Sequence, residues 1–190
     1  MGPKRALRKL GRRFFMRDAI DVAPDLLGKI LVHRRGGEAF RARIVETEAY
    51  VGAHDLACHA SKGRTGRTEV MFGRGGHAYV YLIYGMYQML NIVTGKTGDA
   101  QAVLIRAAEA LDGWEADLSG PGKLAREMEI GRPQNGVDMT GDELFVLDDP
   151  ADRPRVAKSK RVGIDYAGEW KHELLRFYDA QSKAVSKPRG

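Results

Sequence analysis

A chain of 190 residues and 21.0 kDa is long enough for one domain and too short for more than two. Its 43% hydrophobic and 29% charged residues exclude global disorder. No apolar run approaches the roughly 20 residues of a membrane span, and a single cysteine, Cys58, excludes an internal disulfide framework and suits a reducing compartment. The net charge of +6 is unevenly placed: the first 17 residues hold Lys4, Arg5, Arg8, Lys9, Arg12, Arg13 and Arg17 and no acid. Removing these seven from the 31 leaves 24 bases against 25 acids, so the body is electrically balanced. A basic arm over residues 1–17 points to a polyanion partner such as nucleic acid. An amphipathic membrane anchor competes, since Leu7, Leu10, Phe14 and Phe15 interleave with the bases, as does a plain solvated tail.

In chain order, residues 21–27 read as a helix, with Pro24 suited to its first turn and Gly28 to its end. Residues 29–35 read as a strand, Gly36-Gly37 as a tight turn and residues 39–51 as its long partner strand. A glycine-rich, basic loop follows over 52–77. Residues 78–84 and 87–94 flank Gly85-Met86 as a β-hairpin, 102–107 form another strand, and 123–130 a short helix after Ser119-Gly120-Pro121. Asn135-Gly136 marks a turn, and 144–147, 161–164 and 174–178 read as further strands. The pattern predicts an α+β fold with a substantial antiparallel sheet, because alternating βαβ units are absent.

Three segments carry chemistry. On the long strand, strict alternation puts Phe40, Ala42, Ile44, Glu46, Glu48 and Tyr50 on one face. Two carboxylates beside an apolar wall suit general acid–base work. Their separation of about 6.5–7 Å along a strand overlaps that of inverting glycosidase pairs; solvated glutamates at a sheet edge are the plain alternative. On the hairpin, Tyr79, Tyr81, Tyr84 and Tyr87 cluster. An aromatic at a hairpin tip, such as Tyr84, is placed to stack on a base or wedge into a base step, whereas Tyr79 and Tyr87 suit cross-strand packing. Asn91 and Arg106 interrupt otherwise apolar strands and require polar partners if buried, and a strand glutamate would satisfy Arg106. In the loop string HASKGRTGRT, His59 stands with Lys62, Arg64 and Arg67. His54, Cys58 and His59 have a spacing that zinc tolerates, but no second cluster accompanies them, so no metal is expected. The helix start at Ser119-Gly120-Pro121-Gly122-Lys123 reads equally as a phosphate cradle or an ordinary cap.

Taken together, RIVETEAYVG at 43–52, HASKGRT at 59–65, YVYLIYGMYQMLNIV at 79–93, AVLIRAAEAL at 102–111, SGPGKL at 119–124 and RVGIDYAGEW…LLRFY at 161–178 closely resemble the alkyladenine (3-methyladenine) DNA glycosylase family. The likeness runs over about residues 20–180 in the same order. It implies a compact single domain, here 18–180, with a curved, largely antiparallel sheet, flanking helices and a protruding hairpin that enters the DNA minor groove. It implies a monofunctional DNA glycosylase that flips an alkylated or deaminated purine from the duplex and hydrolyses its N-glycosidic bond. By motif, Glu48 matches the catalytic base, and Arg106 and Asn91 match polar positions of the pocket. Tyr50 and Tyr81 match the aromatic walls, His59 the edge-reading partner and Tyr84 the wedge. Met86, Arg64 and Lys123 stand where DNA contacts are expected. Glu46 matches no catalytic position. The resemblance further implies a monomer acting on double-stranded DNA without a cofactor or membrane, in the cytoplasm, with the nucleoid if bacterial, or in the nucleus. The tail 181–190 and the arm lie outside the likeness. A non-catalytic nucleic-acid module, a carbohydrate hydrolase using Glu46 and Glu48, and a helix-hairpin-helix glycosylase are the competing classes; the richness in strands disfavours the last.

Overall fold

The computed structural model describes residues 6–188. Its centre is an open sheet with the strand order β1-β7-β2-β3-β6-β5-β4, to which β9 adds beside β3 and β8 beside β9. The strands are β1 (Arg8–Lys9), β2 (Ile30–Arg35), β3 (Glu38–Tyr50), β4 (Ala78–Ile83), β5 (Tyr87–Thr94), β6 (Gln101–Ala110), β7 (Leu144–Asp148), β8 (Val156–Ser159) and β9 (Arg176–Asp179). Every pairing among them is antiparallel. Short helices α1 (Arg12–Phe15), α2 (Ala19–Asp25) and α3 (Pro121–Glu127) flank the sheet. Among the described residues no helix is long and apolar enough to cross a membrane.

The expected α+β architecture, the hairpin and the long strand are present. The predicted strand over 161–164 is not: the strand lies earlier, at Val156–Ser159. Residues 161–164 form a bend in which Gly163 takes a left-handed φ of 73°, the Arg161 side chain is buried, and the Val162 N–H points away to a carboxylate. Those demands break the ladder that the β-branched residues would otherwise favour.

The ends of the chain also correct the expected boundaries. Residues 8–17 are built into the domain rather than forming a separate arm. Arg8 and Lys9 pair with Asp148 and Leu147, and Phe15 is fully buried in the main core beside Leu10. The segment's positive charge is largely answered within the fold, by Arg12 with Asp138, Lys9 with Asp142 and Arg17 with Asp25. Lys4 and Arg5 lie outside the described residues. At the other end, Val185 and Ser186 are buried and Arg176 binds the carbonyls of Ser186 and Pro188, so packing continues beyond residue 180.

A break in strand register decides the placement of the site. Along β3 and β6 the pairs run Ile44 with Ala108, Glu46 with Ala107, then Thr47 with Ile105. Val45 on β3 and Arg106 on β6 are therefore passed over, a bulge on each strand. Each extra residue reverses which side chains face which way. Ala42 and Ile44 face the main core before the bulge, and Ala49 and Val51 after it. Glu46, Glu48 and Tyr50 thus leave the face of Ile44 that uninterrupted alternation assigns to them. The same main core collects Ala78 and Val80 from β4, Leu90 and Ile92 from β5, and Val103 and Ile105 from β6. Intervening residues of those strands project from the opposite face.

Candidate active site

That opposite face forms the wall of a cavity of about 290 Å³, at the small end of ligand sites. Tyr50 (β3), Tyr79 and Tyr81 (β4), Met89 and Asn91 (β5), and Leu104 and Arg106 (β6) line it. The loop carrying His59 and the bend Val162–Gly163–Ile164 with Tyr166 close its sides, and Ile83, Tyr84 and Pro121 stand at its edge. The sequence-predicted residues Tyr50, His59, Tyr81, Tyr84, Asn91 and Arg106 are thereby brought together from six separate segments.

Glu48 sits immediately behind this lining, fully buried. One oxygen accepts the Val162 N–H at 2.8 Å; the other accepts the Tyr50 hydroxyl at 2.9 Å and faces Arg106 Nη1 at 3.5 Å. A carboxylate oxygen has two acceptor sites, so Glu48 retains capacity for a further donor. Burial, with the Glu48 charge second, holds the Tyr50 phenol well above its ordinary pKa, so Tyr50 remains a neutral donor. Its ring also faces the Arg161 guanidinium at 4.8 Å. Arg161 is itself fixed by two hydrogen bonds to the buried Asp55, at 2.6 and 2.9 Å. Arg106 spends its Nε on Glu46 at 3.0 Å, which leaves Nη1 toward Glu48.

The side walls are aromatic and largely neutral. His59 Nδ1 lies 3.0 Å from the Tyr79 hydroxyl, and its ring meets Tyr81 edge-on at 4.5 Å. Burial, helped by the nearby Arg67 charge, pushes the His59 pKa down to about 4. The imidazole is therefore neutral at physiological pH, with one nitrogen donating and the other accepting. Burial also raises the Tyr81 phenol well above its ordinary range, with Tyr79 the next contribution. The Asn91 amide donates to the Tyr79 carbonyl at 3.3 Å, which fixes its orientation at the wall.

Beside the cavity the β4–β5 hairpin ends in the loop Tyr84-Gly85-Met86. Tyr84 and Met86 are 83% and 67% exposed. Tyr84 adopts a left-handed φ of 52°, uncommon for a bulky residue, with Gly85 taking a second positive φ where no Cβ resists it. An exposed aromatic in strained backbone is a site candidate. Arg64 and Lys123, also expected to meet DNA, are exposed and engaged in ion pairs with Glu69 and Asp117.

Some parts of the site received no role from the sequence. Arg67 packs over the Tyr81 ring at 5.2 Å; its place in HASKGRTGRT was the available signal. Val162, whose backbone N–H holds Glu48, gives no side-chain signal at all. Of the three zinc-spaced residues, His54 packs edge-on against Trp170, Cys58 bonds the Ala100 carbonyl and His59 meets Tyr79. Among the described residues no three His, Cys, Asp or Glu side chains gather as a metal site. Neither glutamate lines the cavity itself. Glu48 bonds the lining residues Tyr50 and Val162, whereas both oxygens of Glu46 are taken up by Arg106, Arg176 and Ser186, so the two carboxylates do not act as an equivalent pair facing one cleft.

A family model described as methylpurine-DNA glycosylase (MPG) matches residues 13–183. A protein of Legionella pneumophila (strain Corby) is 50% identical over 183 residues, covering 95% of this chain and 100% of the relative. One from Anaeromyxobacter sp. (strain Fw109-5) is 50% identical over 183 residues, covering 96% and 94%. One from Methanocella arvoryzae is 51% identical over 192 residues, covering 94% and 96%. All three relatives carry the name 3-methyladenine DNA glycosylase. These matches define a DNA-repair enzyme, a hydrolase of N-glycosyl bonds. The chain belongs to the methylpurine-DNA glycosylase family.

Proposed function

We propose that the protein, acting as a monomer, excises alkylated or deaminated purines by extruding the nucleotide into the cavity and hydrolysing its glycosidic bond with water activated by Glu48. The observation that carries this reading is the buried Glu48–Arg106 pair behind an aromatic-lined cavity that opens beside an exposed hairpin tip. Tyr50, Tyr81 and the neutral His59 sandwich and edge-read the base, and Asn91 adds a polar position to the wall of the pocket. Alkylated purines are often cationic, and electron-rich rings favour them by stacking and cation–π attraction.

In the chemical step a water oxygen attacks C1′ and the C1′–N bond breaks, its electron pair leaving with the base. Glu48 takes the water proton. Its negative charge also favours the oxocarbenium-like sugar, while Arg106 orients the carboxylate. Outside the cavity, Tyr84 fills the vacated stack, Met86 packs against the neighbouring base step, and Arg64 and Lys123 exchange their acidic partners for phosphates.

The test is incubation with duplexes carrying 3-methyladenine, 7-methylguanine, hypoxanthine or ethenoadenine, followed by alkali to reveal abasic sites. Release of at least one of these bases is expected. Lesion binding with no base released from any duplex would leave a non-catalytic DNA-binding module.

A further inference from the structure

Glu46 stands two residues from Glu48, outside the cavity, and is one of the most heavily bonded side chains of the molecule. Its Oε1 accepts from Arg106 Nε at 3.0 Å, Arg176 Nε at 2.7 Å and the Ser186 hydroxyl at 2.8 Å; its Oε2 accepts the Ser186 N–H at 2.6 Å. Ser186 comes from the C-terminal segment, beyond the stretch matched to the family at 13–183. Its hydroxyl also receives Arg106 Nη2 at 3.2 Å. The segment is held in turn by Arg176, which donates to the carbonyls of Ser186 at 3.1 Å and Pro188 at 2.8 Å.

The consequence is geometric. A guanidinium is a rigid planar fork. With Nε fixed by Glu46 and Nη2 by Ser186, its rotation is set, and Nη1 is directed at Glu48 Oε2. Neither Glu46 alone nor the bulge that passes over Arg106 in the ladder determines that rotation, because one hydrogen bond leaves the plane free to turn. We infer that Ser186, through its hydroxyl bridge between Glu46 and Arg106, is a positioning residue that aims Arg106 at the catalytic carboxylate. The C-terminal segment thereby completes the active site from behind. This inference rests on the reading of Glu48 and Arg106 as the reacting pair.

The test is a double-mutant cycle on the full chain, read by single-turnover excision. Ser186→Ala removes the hydroxyl and keeps the backbone N–H that seats the segment on Glu46. It is expected to slow excision about 10-fold, the size of one hydrogen bond to a charged group, with lesion affinity and Tm close to those of the wild type. Ser186→Thr, which restores the hydroxyl, should recover most of the rate. In an Arg106→Ala background, Ser186→Ala should cost less than about 2-fold, since coupled residues fail to add. An unchanged rate in Ser186→Ala, or equal losses in both backgrounds, would overturn the inference. So would a slower rate accompanied by a matching loss of affinity or Tm. Glu48→Gln is run alongside: if it stays active, the reading of the reacting pair fails, whereas an inactive Glu48→Gln with a fully active Ser186→Ala rejects only the positioning role.

Discussion

The two faces of the sheet solve different problems with adjacent residues of the same strands. On β5, Leu90 and Ile92 enter the main core while Met89 and Asn91 face the cavity; on β6, Val103 and Ile105 enter the core while Leu104 and Arg106 face outward. The core face is aliphatic, satisfied by packing and indifferent to charge. The cavity face combines tyrosines with a histidine, an asparagine and an arginine, and most of its polar groups are bonded: Tyr50 to Glu48, His59 to Tyr79, Asn91 to the Tyr79 carbonyl and Arg106 to Glu46. Such a face is costly to bury unless every group is bonded. The difference teaches that neighbouring strand positions here carry opposite demands, apolar packing on one face and polar bonding on the other, and four substitutions test whether stability and excision divide in the same way.

The largest effect is expected at Glu48. Glu48→Gln keeps volume and reach but cannot take a proton at neutral pH. The loss of general-base catalysis alone should slow single-turnover excision by about 10²–10⁴-fold, or roughly 3–5.5 kcal/mol of barrier, with lesion affinity nearly intact. Near-normal excision by this variant would remove Glu48 from the chemistry. Glu46→Gln is not a neutral control, because it disturbs a buried carboxylate shared by Arg106 and Arg176.

On the other face, Ile92→Ala should lower the free energy of unfolding by about 2–5 kcal/mol through lost burial and a residual cavity. Below its lowered Tm, the excision rate per folded molecule should stay within a few-fold of the wild type. A chemical defect larger than the stability defect would show that the two faces are coupled through the strand.

Tyr84→Ala tests the hairpin tip, which belongs to neither face. Losing one stacking aromatic is expected to weaken lesion-duplex affinity by about 1–3 kcal/mol, with a smaller effect on undamaged duplex and little on Tm, since the side chain is 83% exposed. Equal losses on both duplexes would assign Tyr84 to general surface contact.

The smallest effect concerns His59. Burial holds its folded-state pKa down to about 4, below the unfolded value near 6.5. Between those values the unfolded chain binds a proton that the folded chain does not. The His59 contribution to stability is therefore complete above pH 6.5 and is lost as pH falls toward 4. Urea midpoints at pH 7.5 and 5 should differ more in the wild type than in His59→Gln. Identical pH dependence in the two proteins would mean that the ring is not desolvated.

Much of this was legible in the residues alone. Runs such as residues 87–94 and 102–107 read as strands because they are short, nearly continuous apolar stretches rich in branched residues, and the Gly85 turn between tyrosine-rich strands announces a hairpin. Ordered motif strings carried the site residues, since the chemistry demands particular side chains at particular spacings along the chain. Three features were set by tertiary structure instead. The bulge that moves Glu46, Glu48 and Tyr50 away from the face of Ile44 arises from pairing between β3 and β6, which decides where along β3 the core-facing positions change from Ala42 and Ile44 to Ala49 and Val51. The basic N-terminal segment becomes part of the domain because its charges find Asp25, Asp138 and Asp142, partners up to 133 residues distant. The environment of Glu48 depends on a backbone N–H from Val162 and a guanidinium from Arg106, and that of Arg106 on Ser186. Sequence determines which groups can donate, accept or stack; long-range pairing determines which of them meet.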